Sequence, residues 1–448
     1  MVCLLAAWSG ISLNAQQTAP DANSSDATQP ERWNVYYQAT SIGQYHGTFH
    51  SPYQGPFSLQ DHSERDVSLT TTLFLSFRLA DNTQVVFDPE IAGGKGFSNV
   101  DGIANAPNGE IPRVASATPK PYLARLYISQ DFGFGSEKEK VESGANQLAG
   151  ERPMKRYTIV IGRFTVTDFF DNNRYTHDPR SQFMTWGVMY NGAWDYPADV
   201  RGYTWGILQE FHTRDWSFRY GANAEPRTAN GPRFDRRLFV DRGDTFEVER
   251  RYAIGGHAGA VRVLEYLNHA DAGTYADALR LSEKTGAPPD VTLTRRPGTL
   301  KYGTGVNIEQ EITPDVGFFV RLGWNDGKTE SFAFTAIDRL ASGGISVTGT
   351  RWKRKNDTAG TAVTAGGLSG VHALYLARGG NDFLIGDGRL NYAPEYLWET
   401  YYSARLFPGF FVSYDLQRVG NPAYNQDRGP VWISSLRLHL ELGKETFH

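Results

Sequence analysis

The sequence predicts an all-β protein, a transmembrane antiparallel β-barrel, and three observations lead to this prediction. Apolar and polar residues alternate strictly in many segments, the longest being residues 67–79. Such a segment suits a tilted bilayer crossing of about 9–11 residues plus its ends. Short turns and long loops rich in Gly, Pro and Asn separate the segments, and no run of about 18 apolar residues occurs. We expect sixteen strands, with eighteen as the alternative, short periplasmic turns and long extracellular loops.

The composition agrees with a protein of many short strands, and the net charge argues against one class of partner. The chain has 448 residues with 47 Gly, 23 Tyr and 26 Phe, as a barrel with tight turns and aromatic girdles requires. Its 45 basic and 49 acidic residues give a net charge of -4, which argues against a nucleic-acid partner. The single cysteine, Cys3, cannot form an internal disulfide.

The N-terminal region indicates that the protein is exported from the cytoplasm. Residues 1–15 have an apolar core that ends in small residues, as in a signal peptide. A basic region before that core is missing because the first arginine is Arg32, so we expect the natural start to lie upstream. Residues 16–32 are polar and are expected to form a disordered leader. Residues 33–448 are then one outer-membrane barrel, in which the role of residues 443–448 is left open.

Strand pairs with short turns recur along this barrel region. The clearest hairpins are residues 204–224, 300–325 and 396–418, and the C-terminal residues 432–442 form a strand with a leucine ladder on one face. Residues 271–284 contain good helix formers before a Gly-Ala-Pro-Pro stop, which predicts a short helix in a loop. The long segments between hairpins, expected outside the cell, include residues 92–121, 133–156, 225–247 and 420–430.

The polar faces of the predicted strands carry charges of both signs and several aromatic rings. The charged positions are Arg78, Asp88, Glu90, Arg125, Asp131, Arg219, Glu309, Arg321, Arg405, Asp415, Arg437 and Glu441. The aromatic positions are Tyr36, Phe74, Tyr127, Phe319 and Tyr401. A mixed lumen has no strong bias between anions and cations, and rings beside charges suit a neutral polyhydroxylated solute. In the alternative interpretation the charges pair with one another inside the barrel.

Signals for catalysis or metal binding are weak. His46 and His50 have the spacing of metal ligands on a helix, but the surrounding Gly and Pro residues prevent a helix there. Asp168 and Asp171 lie in an Asn-rich turn rather than a recognisable cleft, and no Gly-x-Ser-x-Gly motif occurs. The sequence therefore predicts no enzymatic activity and no cofactor.

Three stretches resemble the carbohydrate-selective porins, OprB-like, of Gram-negative outer membranes: residues 161–183, 263–278 and 421–439. The resemblance implies a sixteen-stranded barrel that passes glucose-like sugars passively past a constriction of arginines and acids. It also implies outer-membrane lipid and the barrel-assembly machinery as partners, and it leaves the oligomeric state open. The alternatives are a channel for anionic solutes or acidic polysaccharide and, in another class, an outer-membrane hydrolase.

The resemblance and the predicted strand faces together give the candidate solute-binding or pore-lining residues. Those at motif positions are Arg163, Asp168, Asp171, Asn172, Asn173, Asp178, Arg180, Asn421, Tyr424, Asp427 and Arg428, and those on the predicted wall are Arg78, Arg125 and Arg321. Asn and Asp side chains also fold loops by bonding to nearby backbone groups. Loop architecture is therefore the alternative role of the motif residues.

Overall fold

Sixteen antiparallel strands close into one barrel in the computed structural model, which describes residues 30–111, 116–333 and 336–443. Each barrel strand pairs with the next one along the chain, and the last strand pairs with the first. The predicted fold class is confirmed, with the lower of the two strand counts. The predicted signal peptide, residues 16–29 of the predicted leader and residues 444–448 lie outside the described residues.

The strands alternate with a few short helices in the connections. The strands are β1 (Trp33–His46), β2 (Glu64–Ala80), β3 (Thr83–Gly94), β4 (Lys120–Gly133), β5 (Lys138–Val141), β6 (Gly150–Pro153), β7 (Arg156–Phe164), β8 (Thr204–His212), β9 (Trp216–Ala224), β10 (Arg242–Ile254), β11 (His257–Ala272), β12 (Arg296–Thr313), β13 (Val316–Asn325), β14 (Arg339–Gly349), β15 (Arg354–Gly367), β16 (Glu395–Phe407), β17 (Phe410–Gly420) and β18 (Val431–Leu442). The α-helices are α1 (Trp186–Met189), α2 (Tyr275–Thr285) and α3 (Gly370–Ala377). In the described part of the chain, no helix has both the length and the apolar character to cross a membrane.

The period-two patterns sort the side chains into an apolar outer face and a polar inner face. In β18, Trp432, Leu436 and Leu438 are exposed on the outside, whereas Arg437 and His439 are buried inside. This is the geometry expected of strands whose alternate residues face lipid. The three predicted hairpins are present, and the predicted loop helix is α2, capped at its start by the Thr274 side chain.

One long connection lies at the opposite end of the barrel from its predicted place. Residues 134–155 follow β4, whose Gln130 pairs with Thr83 beside the short β2–β3 turn. The prediction that residues 133–156 form an extracellular loop is therefore wrong, because loop composition does not reveal at which end a strand finishes. This segment contains the small β5–β6 hairpin, and the side-chain amide of Asn146 donates to Asp88 Oδ2 at 2.8 Å inside the barrel.

The connection between β7 and β8, residues 165–203, runs inside the barrel, and we call it the inner segment. Its apolar residues form nearly half of the largest buried cluster in the described part of the chain, which includes Val166, Phe170, Trp186 and Trp194. These side chains pack on lumen-facing wall residues such as Leu208. A folded segment therefore fills much of the space that an empty barrel would leave as a channel.

Candidate functional site

Asp171 is the centre of the contacts that fix the inner segment to the wall. Its Oδ1 accepts hydrogen bonds from Asn307 Nδ2 at 2.6 Å and Arg321 Nε at 3.1 Å, while Oδ2 accepts one from the Asn191 backbone N–H at 2.7 Å. Arg321 is fully buried in β13 and also donates to the Val188 carbonyl at 2.7 Å. A buried carboxylate and guanidinium with satisfied hydrogen bonds make a stable fixed point.

Two further wall residues hold the distal half of the inner segment. The Glu399 carboxylate in β16 accepts hydrogen bonds from the backbone N–H groups of Met184 at 2.6 Å and Thr185 at 3.0 Å. Arg437 in β18 donates through Nη1 to the carbonyls of Pro179 and Gln182, both at 2.7 Å. Wall side chains thus bond the backbone groups that a non-helical, non-sheet segment leaves without partners.

Asp178 and Arg180 connect the inner segment to β3 and to the connection between β3 and β4. Asp178 Oδ1 accepts a hydrogen bond from the Arg180 backbone N–H at 3.0 Å. Burial favours the neutral acid, but the positive charge of Arg180, together with hydrogen bonds from the Arg180 backbone and Ser181, outweighs burial and holds the pKa of Asp178 below its usual value. The Arg180 guanidinium lies 3.2 Å from Glu90 and 3.3 Å from Glu110. The Asn173 side chain accepts a hydrogen bond from the Tyr175 N–H at 3.0 Å and donates one to Asn307 Oδ1 of β12 at 2.7 Å.

Asp168 and Arg125 form an ion pair that remains accessible in the lumen. Arg125 in β4 donates through Nε and Nη2 to the two Asp168 oxygens at 2.6 Å each. The side chains keep 26% and 12% of their exposure, and the Asn172 side chain and the Phe169 ring beside them are also only partly buried. A second contact of Arg125, to Asp88 at 3.3 Å, fixes it to the wall. Of the predicted residues, this group is the one the structure brings together at an accessible surface.

A chain of ion pairs with alternating sign continues along the wall, and we call it the charged belt. Arg219 Nη1 lies 2.9 Å from Glu249, which is 3.1 Å from Arg262. The belt consists of Arg174, Arg219, Arg251, Arg262, Glu210, Glu247, Glu249, Glu309 and Glu311. These are five acids and four arginines, so the belt does not favour anionic solutes.

The inward aromatic rings do not present faces to the lumen. Phe319 and Tyr401 lie on the predicted inner side, but both pack against Phe183 of the inner segment, with ring centroids 5.5 and 4.9 Å away. Phe74 and Tyr127 are likewise buried. Burial leaves these four rings little surface with which to contact a solute. Tyr36 retains partial exposure and donates to Ser143 Oγ at 3.0 Å.

Arg163 and Arg78 both bond carboxylate or backbone groups near the ends of their strands. Arg163 is buried, and its side chain donates to Asp199 of the inner segment at 2.6 Å and to the Leu123 carbonyl at 2.8 Å. Its role as a pore-lining residue stays a prediction. Arg78 donates to three backbone carbonyls at the periplasmic rim, including Ala149 O at 3.1 Å.

The β17–β18 connection uses its motif residues to hold loops together. Tyr424 is fully buried and donates to the Ala336 carbonyl at 2.6 Å. The Asp427 carboxylate, in the loop between β17 and β18, accepts a hydrogen bond from the Tyr53 hydroxyl at 2.7 Å. Arg428 is buried and bonds Asp387 and the Leu59 carbonyl. Asn421 takes a positive φ of 53° at the turn.

Sequence reasoning missed Glu399, Asn307 and the arginines and acids of the belt apart from Arg219 and Glu309. For those on strands the signal was available in part, because alternation places them on the inner face. Their partners were not visible in sequence. Within the described ranges, no group of three or more His, Cys, Asp or Glu residues could hold a metal ion. His46, half of the weak metal motif, instead lies 3.2 Å from Glu64.

Comparisons with known proteins agree with this architecture. The family described as carbohydrate-selective porin, OprB family, matches residues 68–442. No curated protein matches the chain. The high-pH structure of Pseudomonas putida OprB is similar at 15% identity and a TM-score of 0.65, over 92% of this chain and 94% of that one. The outer membrane channel DcaP of Acinetobacter baumannii has 10% identity and a TM-score of 0.49, over 92% and 97%.

The likeness to Pseudomonas putida OprB at 15% identity shows the fold alone, whereas the family match extends over most of the chain. The match starts inside β2 and ends at the last residue of β18, so it includes the inner segment and the charged belt. The chain belongs to the OprB family of carbohydrate-selective porins of the outer membrane.

Proposed function

We propose that this porin passes neutral, glucose-like sugars by passive diffusion and binds them weakly beside the Arg125–Asp168 pair. The observation that carries the proposal is that the Asp168 carboxylate, paired with Arg125, keeps 26% of its side-chain exposure, whereas Arg321 and Arg437 are fully buried. Passive transport needs no cofactor and no covalent step. Weak binding is required, since a solute must leave the site as easily as it enters.

The chemistry of the pair fits hydroxyl groups. A carboxylate accepts hydrogen bonds from sugar hydroxyls, and a guanidinium donates to hydroxyl oxygens in a fixed fork. Asn172 adds an amide within the same surface, and its Nδ2 lies 3.3 Å from the Asp168 carbonyl. The partly exposed Phe169 ring offers an apolar face for sugar C–H groups. Together these groups can bind a polyhydroxylated solute without a net charge.

The charged belt supports continued passage of the same kind of solute. Because positive and negative side chains alternate along the belt, a sugar hydroxyl that leaves one charged group can form a hydrogen bond with the next. The excess of acids over arginines makes the anion-channel alternative less favourable. We also propose that the exposed apolar outer face contacts outer-membrane lipid, and that assembly machinery inserts the barrel after removal of residues 1–15.

The experiment is a sugar titration of single-channel conductance with Asp168→Asn. We expect sugar block to weaken about tenfold, because a hydrogen bond to a charged group contributes about 1.5–3 kcal/mol. Asp427→Asn is the matched control, since it makes the same change in a loop and is expected to leave the block unchanged. An unchanged block in Asp168→Asn would contradict the proposed site.

A further inference from the structure

The β9–β10 loop displays an apolar tip between arginines. Leu238, Phe239 and Val240, the apolar tip, are exposed by 51%, 97% and 45%. The tip belongs to a connection at the extracellular end of the barrel, since it follows β9 and precedes β10. Three consecutive large apolar residues with this exposure indicate that the tip contacts a membrane or another molecule.

The tip is displayed by an ordered turn. The backbone N–H groups of Val240 and Asp241 donate to the Arg237 carbonyl at 2.7 and 2.8 Å, which makes one helical turn. The Arg237 guanidinium lies 2.7 Å from Asp235 and 2.9 Å from Asp241. The Gly298 N–H donates to Asp241 Oδ1 at 2.7 Å and ties the turn to β12. These contacts hold the apolar side chains outward.

The apolar tip is continuous with the lipid-facing surface of the barrel. Val240 Cγ1 lies 3.5 Å from the place where a Cβ would stand on Gly298. Two residues further along β12, Leu300 is exposed on the outer face, and Phe246 of β10 is exposed on the same face. Leu293, 70% exposed just before β12, extends the patch at this rim. The patch therefore begins where the membrane-facing surface ends.

Two cations flank the tip without partners. Arg233 and Arg236 are exposed, and neither forms an ion pair with any residue in the described part of the chain. By contrast, Arg237 is bound by carboxylates, and Arg242 lies 2.9 Å from Asp244. The turn thus keeps its internal charges balanced and leaves two guanidinium groups available beside apolar side chains. Guanidinium groups bind phosphate oxygens in a bidentate manner.

We propose that the apolar tip enters the outer leaflet and that Arg233 and Arg236 bind the phosphates of its phosphorylated glycolipid. Apolar side chains at acyl-chain depth with cations at headgroup depth are the arrangement by which amphipathic segments bind anionic membranes. A second copy of the chain is the other candidate occupant. It would bring the same unpaired arginines into contact with each other across a symmetric interface, which charge repulsion disfavours.

The depth of the tip can be measured with an environment-sensitive fluorophore in the full chain. Phe239→Cys carries the label in a Cys3→Ser background, and the protein is reconstituted in vesicles that contain bis-phosphorylated lipid A. We expect a blue-shifted emission that nitroxide groups on the acyl chains quench. The matched control is Glu283→Cys on the exposed face of α2, which should remain water-like. Water-like emission from position 239 would overturn the proposal.

The phosphate contact is tested by titrating the detergent-solubilised protein with bis-phosphorylated lipid A. The double variant Arg233→Ala/Arg236→Ala should bind about thirtyfold more weakly, since each arginine near an anionic surface contributes about 1 kcal/mol. Arg351→Ala, in an exposed periplasmic turn, is the control. Equal affinity of the double variant and the unaltered chain would overturn the proposal. So would a lipid-free dimer that Phe239→Ser dissociates, which would assign the tip to a second copy.

Discussion

At the scale of single residues, the arginines inside this barrel divide into two kinds. Arg321, Arg428 and Arg437 are buried and donate to backbone carbonyls, so their charge serves to fix loops. Arg125 shares an accessible surface with Asp168. Guanidinium groups can do either because their five donors satisfy several acceptors at once. The distinction decides which substitutions change transport and which change folding.

Replacing Arg428 by Ala should lower stability and leave sugar binding unchanged. The change leaves the buried Asp387 carboxylate without its cation, which costs about 3–5 kcal/mol. The measurement is urea unfolding of the reconstituted barrel, followed by the sugar titration on the folded fraction. Arg389→Ala, an exposed arginine over the Tyr53 ring in the same loop cluster, is the control with a small expected effect. A loss of sugar affinity in Arg428→Ala would assign this arginine to the solute path.

At the scale of elements, the inner segment takes its shape from hydrogen bonds to side chains of the barrel wall. Backbone groups of residues 165–203 bond to Glu247, Glu399 and Arg437, which belong to three separate strands. The segment can therefore take its final shape only once those strands have closed into a barrel. Its course sets the width of the lumen.

Replacing Arg321 by Met should release part of the inner segment. The variant keeps the volume of the side chain but leaves Asp171 as an uncompensated buried charge, so we expect a loss of about 3–5 kcal/mol. Single-channel conductance should rise or become noisy as the segment moves. Arg405→Met, at a lumen-side position without an ion pair in the described ranges, should leave both quantities unchanged. Steady wild-type conductance in Arg321→Met would show that Asp171 does not hold the segment.

The contact between α2 and α3 contains a buried titratable group. The His372 ring stacks on Tyr275 at 4.2 Å, and its Nδ1 and Nε2 lie 3.0 and 3.2 Å from Asp338 and Asp382. Burial alone lowers the pKa of His372, but the two carboxylates outweigh burial and raise it to about 9. A raised pKa means that the protonated imidazolium stabilises the docked helices.

This contact predicts looser extracellular helices in alkaline solution. The stabilisation is fully present below about pH 6.5, the ordinary value for histidine, and is lost as pH rises through about 9. Amide hydrogen exchange in residues 275–285 and 370–377, corrected for intrinsic rates, should show protection that falls between pH 6.5 and 10. His372→Asn is the control and should show protection with little pH dependence. Constant protection in the unaltered chain would exclude the charged contact.

The sequence predicted local geometry well and long-range geometry poorly, and the reason is physical. Residues 432–442 reveal their two faces because alternation depends only on neighbouring residues. Asp171 gives no such sign of its partners, since Asn307 and Arg321 lie 136 and 150 residues away along the chain. Similarly, the composition of residues 133–156 does not show that they lie at the periplasmic end. Contacts that depend on closure of the whole barrel cannot be read from a single strand.

At the scale of the whole molecule, one closed sheet separates lipid from a narrow polar path. The outer face is apolar along successive strands, and the inner face carries the belt of alternating charge. The inner segment occupies part of the barrel interior, and Asp168 and Arg125 keep an accessible surface. We therefore expect discrimination by size and by negative charge rather than by tight binding.

Swelling of vesicles that contain the purified barrel tests this expectation most directly. Vesicles placed in isotonic glucose should swell at a rate proportional to the amount of protein. Gluconate, a carboxylated sugar of similar size, should enter more slowly because the belt has five acids to four arginines. Larger oligosaccharides should enter more slowly still. Faster entry of gluconate than of glucose, or no swelling in either sugar, would contradict a passage built for neutral sugars.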